Sequence, residues 1–224
     1  MRKGMKKVAV VLGMVGMLAS VAACKPKFDA AGYVESYVES NYKGDFKEYA
    51  EICKVDESKP KEIYDKAIDS LVQNMSAGLT LDDESTKKFE KLAADMLGSV
   101  KYTVDDKTDY KDGKFTVKVT AECLQMKVDT NEAFEIGKKV GEKAAEDYLK
   151  THKKIDQNAY QQLLQDKMKD ALYEYFETIL KNATYGEPKE ITVTIEKNSE
   201  GLYGISETEE TKLANALVSM DYSK

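Results

Sequence analysis

Apolar positions recur with a helical period over most of the first hundred residues. Apolar side chains fall at every third or fourth position in segments 28–54, 59–78 and 82–98, and Gly44-Asp45 interrupts the first of these. This spacing places them on one face of a helix, and Gly or Pro is common at helix ends. The pattern therefore predicts a group of amphipathic helices.

Two later regions change to the alternating period of a half-buried strand. Segments 100–104 and 115–119 are joined through the turn residues Asp112-Gly113, and segments 191–195 and 202–205 through 198–201. Each pair predicts a β-hairpin with one apolar face. The residues expected in the sheet core are Tyr102, Val104, Phe115, Val117, Val119, Ile191, Val193 and Ile195.

Helical periodicity returns between and after the hairpins. The pair Asp129–Glu132 has the spacing of a capping box, and the pattern runs over 129–182 with a break near 151–156. A second capping box, Ser206–Glu209, opens a last helix that we expect to extend through Met220. The order of elements is thus helices, hairpin, helices, hairpin, helix.

This order predicts an α+β fold in which one antiparallel sheet, built from two β-hairpins, is covered by several amphipathic helices. We expect a single domain over 28–224. Leu97 to Tyr102 and Leu180 to Tyr185 share their spacing at the two helix-to-strand junctions. This match suggests a degenerate duplication relating 28–125 to 129–224.

The chain begins differently from the rest. Four basic residues precede an apolar run over 8–23, and no acidic residue occurs before Asp29. A basic start, a short apolar core and small residues at the end are typical of a secretion signal. The run is shorter than the roughly 20 residues that span a bilayer, so a cleaved signal over 1–23 is favoured over a permanent span.

The signal ends in Val21-Ala22-Ala23-Cys24, which resembles the lipobox of bacterial lipoproteins. The resemblance implies cleavage before Cys24 and a diacylglycerol group on its thiol. Segment 24–27 is then the lipidated cysteine with a short tether. Two acyl chains give a stable anchor, so the expected location is the extracytoplasmic face of the cell membrane. The whole chain resembles uncharacterised surface lipoproteins of Gram-positive, Firmicutes-type bacteria.

A second resemblance lies after the first predicted helix. Tyr42-Lys43-Gly44-Asp45-Phe46-Lys47-Glu48-Tyr49 resembles the opening of the cystatin-like cone domains related to nuclear transport factor 2. The match covers about 25 residues with the preceding helix.

Charge narrows the classes of partner. The chain carries a formal charge of −6, and four positive charges lie in the signal, which leaves −10 on the mature part. Nucleic acids are bound through clustered Lys and Arg. An acidic mature chain therefore argues against a nucleic-acid partner.

Two cysteines remain besides Cys24. In an exported protein Cys53 and Cys123 can form a disulfide. The alternative is two separate buried thiols that pack as small apolar groups. Neither cysteine has the spacing of a metal site.

The sequence contains no recognisable catalytic constellation. His152 is the only histidine, and no zinc-protease, nucleophile-elbow or phosphate-loop motif occurs. The acidic segment 105–112 has Lys107 and Tyr110 where an EF-hand loop needs an oxygen ligand and a glycine. We therefore predict no catalytic residue, no metal site and no cofactor.

The remaining predictions concern a ligand. Tyr102 and Tyr185 stand at the two helix-to-strand junctions, where their hydroxyls could point into a pocket between sheet and helices; the alternative is that both rings close the core. The expected function is a lipid-anchored binding or interaction domain for an unknown small molecule, peptide or protein. The alternatives are an accessory or sensor subunit of a membrane complex, and a hydrolase with an unrecognised carboxylate pair.

Overall fold

The computed structural model describes residues 28–152, 154, 156–199 and 201–223. The predicted lipidation site, Cys24, lies outside these residues. Over the described part of the chain, no helix is both long enough and apolar enough to cross a membrane.

Four helices form the first half of the structure, as predicted. They are α1 (Ala30–Val38), which continues into a π-helical segment (Glu39–Lys43), α2 (Lys47–Cys53), α3 (Ser58–Met75) and α4 (Asp83–Gly98). The Asp82 carboxylate accepts the Ser85 N–H at 2.8 Å and thereby caps α4. Gly44 ends the π-helical segment with φ = +71°, a conformation that glycine adopts without strain.

The two predicted hairpins form one four-stranded sheet. The first hairpin is β1 (Lys101–Lys111) with β2 (Lys114–Glu122); the strands Lys189–Lys197 and Tyr203–Ile205 form the second. Numbered in chain order, the strands of the second hairpin are β5 (Lys189–Lys197) and β6 (Tyr203–Ile205). The spatial order is β1-β2-β5-β6, and every neighbouring pair is antiparallel. The prediction of one antiparallel sheet covered by helices is confirmed.

Apolar side chains from both hairpins meet where β2 pairs with β5. Phe115 lies opposite Ile195, and Val117 lies opposite Val193. These four side chains and Val119 are buried, whereas Tyr102, Val104 and Ile191 are half-buried. Helix α1 packs on β1 and β2.

A second, smaller sheet was not predicted. It contains β3 (Leu124–Asp129), β4 (Thr184–Tyr185) and β7 (Val218–Ser223) in the order β4-β3-β7, and β3 runs parallel to β7. The last helix, α7 (Glu207–Leu217), ends at Leu217. The expectation that it reaches Met220 is therefore wrong. From Val218 onward apolar and polar residues alternate, which is the period of a strand.

Two long helices, α5 (Thr130–Thr151) and α6 (Gln157–Lys181), form an antiparallel pair separated where the sequence predicts a break. The Asp129 carboxylate accepts the N–H groups of Asn131 and Glu132 and caps α5. The Lys169 ammonium of α6 lies 2.7 Å from the Asp82 carboxylate at the start of α4. This ion pair ties the helical pair to the first group of helices.

The core between α1, α2 and α7 (Glu207–Leu217) is rich in buried tyrosines. Tyr33, Tyr37, Tyr42 and Tyr49 are all buried, and so is Glu210 of α7. Burial raises the pKa of each of the four phenols above its ordinary value, and the charge of Glu210 adds to this effect at Tyr37 and Tyr42.

Candidate functional site

A cavity of about 320 Å³ lies between the second sheet and three helices. Ligand pockets in proteins are usually about 300 Å³ or larger and mostly apolar. Its walls come from α3, α4, α6, β3 and β7, and they carry the side chains of Leu71, Asn74, Met75, Met96, Met126, Val128, Phe176, Met220 and Tyr222.

The sheet wall follows directly from strand geometry. Met126 of β3 pairs with Met220 of β7, and Val128 pairs with Tyr222 on the same parallel ladder. Side chains two residues apart on a strand point to the same face. The four side chains therefore form a two-by-two patch facing the helices.

The helical wall follows from the period of α3. Leu71 and Met75 are four residues apart and share one helix face. Met96 from α4 and Phe176 from α6 complete this side. Asn74 is exposed and supplies an amide group at the rim.

The deep part of the cavity is apolar, and its polar groups lie near the rim. Met75, Met96 and Met126 are 3% exposed or less, whereas Tyr222 is 41% exposed. The Tyr222 hydroxyl donates to Met220 Sδ at 3.6 Å, and burial raises the pKa of this phenol. It therefore stays protonated near neutral pH and can act as a hydrogen-bond donor.

The lining contains no carboxylate, ammonium, imidazole or thiol. Four of the nine lining residues are methionine, whose unbranched and polarisable side chain adapts to apolar surfaces of different shape. The described residues also contain no group of three or more His, Cys, Asp and Glu side chains that could hold a metal ion. This arrangement is suited to binding a neutral, largely apolar molecule.

The two tyrosines predicted from the sequence do not line this cavity. Tyr102 is half-buried on β1, and its hydroxyl donates to the Glu39 carboxylate of the π-helical segment. The Lys43 ammonium lies 2.7 Å from Glu39 and 5.0 Å from the centre of the Tyr102 ring. Burial, followed by the hydrogen bond to Glu39, raises the pKa of Tyr102. Tyr102 therefore belongs to a polar cluster against the first helices.

Tyr185 lies on the short strand β4, opposite Leu124 of β3. Its hydroxyl donates to the Ser99 carbonyl at 2.7 Å, and the Lys101 ammonium lies 3.7 Å from the centre of its ring. Through these contacts, β4 at the edge of the second sheet packs against the start of β1. The tyrosine that lines the cavity is Tyr222 instead.

The disulfide considered from the sequence is absent from this structure, which holds Cys53 and Cys123 as separate thiols. Cys53 is buried at the end of α2, where burial raises its pKa to about 11. Cys123 lies between β2 and β3, and its thiol points toward the Asn215 carbonyl of α7 at 3.7 Å. Cys53 thus belongs to the core, whereas Cys123 is half-buried between strand β2 of the first sheet and strand β3 of the second.

The cavity residues on β3 and β7 were missed because both strands are short. Their signal is nevertheless present: Leu124, Met126 and Val128 alternate with polar residues, as do Val218, Met220 and Tyr222. Period-two alternation over five residues is compatible with a half-buried strand. In segment 218–222 the alternation was obscured because the helical pattern of α7 directly precedes it.

Neither a family model nor a curated protein matches this chain. Among solved structures, the chain is similar to a crystal structure from Bacillus subtilis described as "a putative lipoprotein (ycdA)", with 17% sequence identity and a TM-score of 0.47. The similarity covers 85% of this chain and 56% of that protein, so the chain spans little more than half of its length.

Proposed function

We propose that this protein is a lipid-anchored extracytoplasmic binding protein that holds a small, neutral, largely apolar ligand in the methionine-lined cavity. The lipid anchor is supported by the lipobox-like sequence ending at Cys24. The binding role is carried by one observation, the cavity of about 320 Å³ whose deep wall is apolar and whose rim carries an amide and a phenol.

The size of the cavity limits the ligand. At roughly 30 Å³ for each water molecule in the liquid, it corresponds to about ten water volumes. This suits a short acyl chain, a small aromatic molecule or one large apolar side chain of a peptide. The Tyr222 hydroxyl and the Asn74 amide are placed to bind a polar group at one end of that ligand.

Binding can be tested with N-phenyl-1-naphthylamine, a neutral fluorescent probe, and medium-chain alcohols as competitors. We expect saturable binding with one site per chain and displacement by the alcohols. Val128→Phe places a larger side chain in the cavity wall and should abolish probe binding while the protein remains folded. Probe binding that is unchanged in this variant would place the ligand elsewhere.

The polar end of the ligand is tested by Tyr222→Phe, with Tyr185→Phe as the matched control. Both tyrosines lie on strands of the second sheet and have similar exposure, 41% and 36%. Loss of one hydrogen bond is worth about 0.5–1.5 kcal/mol. Tyr222→Phe should therefore weaken the alcohols about 2- to 12-fold, whereas Tyr185→Phe should leave their affinity unchanged. The opposite ranking would restore the site predicted from the sequence.

The anchor is tested separately. Cys24→Ala should give a precursor that is not cleaved at this position and takes up no labelled fatty acid, because the acylated thiol is removed. Wild-type protein should incorporate the label and stay with membranes after a salt wash. Normal maturation of the Cys24→Ala variant, with no label in the wild type, would refute the anchor.

One observation favours the alternative of an accessory subunit. Helix α5 exposes two large apolar side chains, Phe134 and Leu149, which are 72% and 55% exposed. Exposed apolar side chains can mark a surface that binds another protein. A stoichiometric partner that co-purifies with wild-type protein, and is lost when both residues are changed to Asp, would support this function over ligand binding.

A further inference from the structure

The tip of the four-stranded sheet is fixed close to the predicted lipid anchor. Phe28, the first described residue, stacks on the Tyr203 ring with a centroid distance of 4.8 Å and contacts the Phe115 ring at 5.4 Å. Phe115 lies next to the β1–β2 turn, and Tyr203 begins β6 after the β5–β6 turn. Both hairpin turns therefore lie at the same end of the sheet as Phe28.

The chain between Cys24 and Phe28 is too short to let this end move far from the bilayer. Three residues separate the two positions, and an extended chain spans at most about 3.3–3.6 Å per residue. Phe28 must then remain within about 15 Å of the lipidated cysteine, and the end of the sheet that it contacts through Phe115 and Tyr203 is held near the bilayer. No other end of the four-stranded sheet is tied to Phe28 in this way.

We propose that this sheet tip, formed by residues 112–113 of the first turn and 198, 199 and 201 of the second with their described flanking residues, is a membrane-contact surface that faces anionic lipid headgroups. The inference rests on the lipid anchor of the proposed function. In this orientation the sheet tip is the face of the domain that meets the bilayer, and its partner is a lipid surface rather than a protein.

The side chains at the tip suit a headgroup layer. Tyr110 is 37% exposed, and its ring packs on Phe115 at a centroid distance of 4.6 Å. Lys197 extends over the Tyr203 ring at 5.2 Å, and Lys111 is exposed at the end of β1. Tyrosine and lysine, with an apolar body and a polar end, are favoured where apolar and aqueous phases meet.

The sheet tip carries less negative charge than the domain as a whole. The whole chain carries −6, and its first 27 residues contain six basic and no acidic side chains, so residues 28–224 carry −12. The described tip has as many lysines as acids: Lys111, Lys114 and Lys197 against Asp29, Asp112 and Glu196. The described tip is therefore close to neutral, and an anionic surface repels it less than it repels the acidic domain as a whole.

The sequence has no tryptophan, so one introduced tryptophan reports its own position. Tyr110→Trp places the probe at the tip. Tyr185→Trp is its matched control, since the two tyrosines are 37% and 36% exposed. Tyr185 lies against Lys101, at the opposite end of β1 from Tyr110. At about 3.3 Å per residue, the ends of this strand are up to about 30 Å apart.

The lipidated full-length variants are reconstituted into phosphatidylcholine–phosphatidylglycerol vesicles that contain a lipid with a nitroxide on its headgroup, which quenches tryptophan at short range. We expect the fluorescence of Tyr110→Trp to be quenched at least twofold and that of Tyr185→Trp to remain as in vesicles without nitroxide. Equal quenching of both, quenching of Tyr185→Trp alone, or quenching of neither would overturn the orientation. Protein that fails to float with the vesicles would instead refute the anchor, and this inference with it.

Reversing the charge of two lysines tests whether the sheet tip interacts with anionic headgroups or is only held near them by the lipid anchor. In the Tyr110→Trp protein, Lys111→Glu with Lys197→Glu should reduce quenching in vesicles containing phosphatidylglycerol, but not in vesicles of phosphatidylcholine alone. The control, Lys138→Glu with Lys139→Glu on α5, makes the same change in net charge on an exposed surface away from the tip. An equal effect of both pairs would show that total charge, rather than this surface, controls the contact.

Discussion

Two serines one helical turn apart show how the surroundings of a single hydroxyl affect stability. Ser36 and Ser40 are 1% and 0% exposed. The Ser36 hydroxyl donates to the Tyr33 carbonyl at 3.1 Å, whereas Ser40 Oγ has no hydrogen-bond partner among the described residues. A buried polar group without a partner costs free energy that a bonded one does not.

This contrast predicts opposite effects of the same substitution. Ser40→Ala should leave the free energy of unfolding unchanged or raise it by up to about 1 kcal/mol, because an unsatisfied hydroxyl is removed. Ser36→Ala should lower it by about 0.5–1 kcal/mol, partly offset by the better helix propensity of alanine. Urea denaturation of both variants measures the difference. A larger loss for Ser40→Ala would indicate an ordered water or another partner at that hydroxyl.

At the scale of elements, helices and strands joined by a turn were predictable, and the strands of the second sheet were not. The four first helices, the pair α5–α6 and both hairpins have enough residues for their period to be read, and their caps at Asp82 and Asp129 are visible as capping patterns. The strands β3, β4 and β7 are six residues or fewer. They pair with strands far away in the sequence rather than across a turn, so their local alternation does not identify their partners.

The site was predicted in part for the same reason. A pocket between sheet and helices was one of two alternatives that the sequence left open, and the cavity in the structure is lined by the unpredicted second sheet. Tyr102 and Tyr185 were predicted as pocket residues because they stand at the helix-to-strand junctions. In the structure the Tyr102 hydroxyl donates to Glu39 and the Tyr185 hydroxyl donates to the Ser99 carbonyl. Which of several tyrosines faces a cavity depends on the pairing of β3 with β7, a contact between residues far apart in sequence.

The contact between α6 and α4 gives a prediction at this scale. Lys169 is 7% exposed, and its ammonium lies 2.7 Å from Asp82 and 2.9 Å from Asp166. Lys169→Met should lower Tm by about 2–4 °C and by more than Lys167→Met, whose ammonium makes one longer contact, 3.4 Å from Asp147. Differential scanning calorimetry compares the two variants.

The pH dependence of that effect follows from Asp82. The hydrogen bond from Lys169, with those from Ser85, holds the pKa of Asp82 below its ordinary value of 3.8. A lowered pKa means that the interaction stabilises the protein at pH values above about 4 and is lost as the pH falls through the folded-state pKa. The difference in Tm between wild type and Lys169→Met should therefore shrink below pH 4. A constant difference would assign the effect to packing of the lysine stem.

At the scale of the whole molecule, one core joins the first helices to α7 through buried phenols. Tyr37 and Tyr42 lie near the buried Glu210 of α7, and Tyr33 lies against Tyr49 with ring centroids 5.8 Å apart. The four phenols are neutral in the folded protein because burial disfavours the phenolate. The unfolded chain, by contrast, exposes all of them to water.

This difference predicts how the protein unfolds in alkali. The pKa of Tyr49 is raised above 10.0 by burial, and that of Cys53 is raised from 9.0 to about 11. Below about pH 8 both groups are protonated in both states and do not affect the pH dependence. Above pH 9 to 10 the unfolded chain loses protons that the folded protein retains, so the free energy of unfolding falls as the pH rises. Each retained proton contributes at most 1.36 kcal/mol per pH unit to this fall.

Removing one buried phenol should therefore make the alkaline loss less steep. Tyr49→Phe keeps the ring and removes the titrating hydroxyl, so the slope between pH 10 and 11 should decrease by up to about 1.36 kcal/mol per pH unit. Urea denaturation at several pH values from 8 to 11 measures this slope. Ser36→Ala, equally buried but not titrating in this range, should shift the curve without changing its slope. If Tyr49→Phe and wild type lost stability in parallel, the Tyr49 hydroxyl would have to reach solvent in the folded protein, contrary to its burial between α1 and α2.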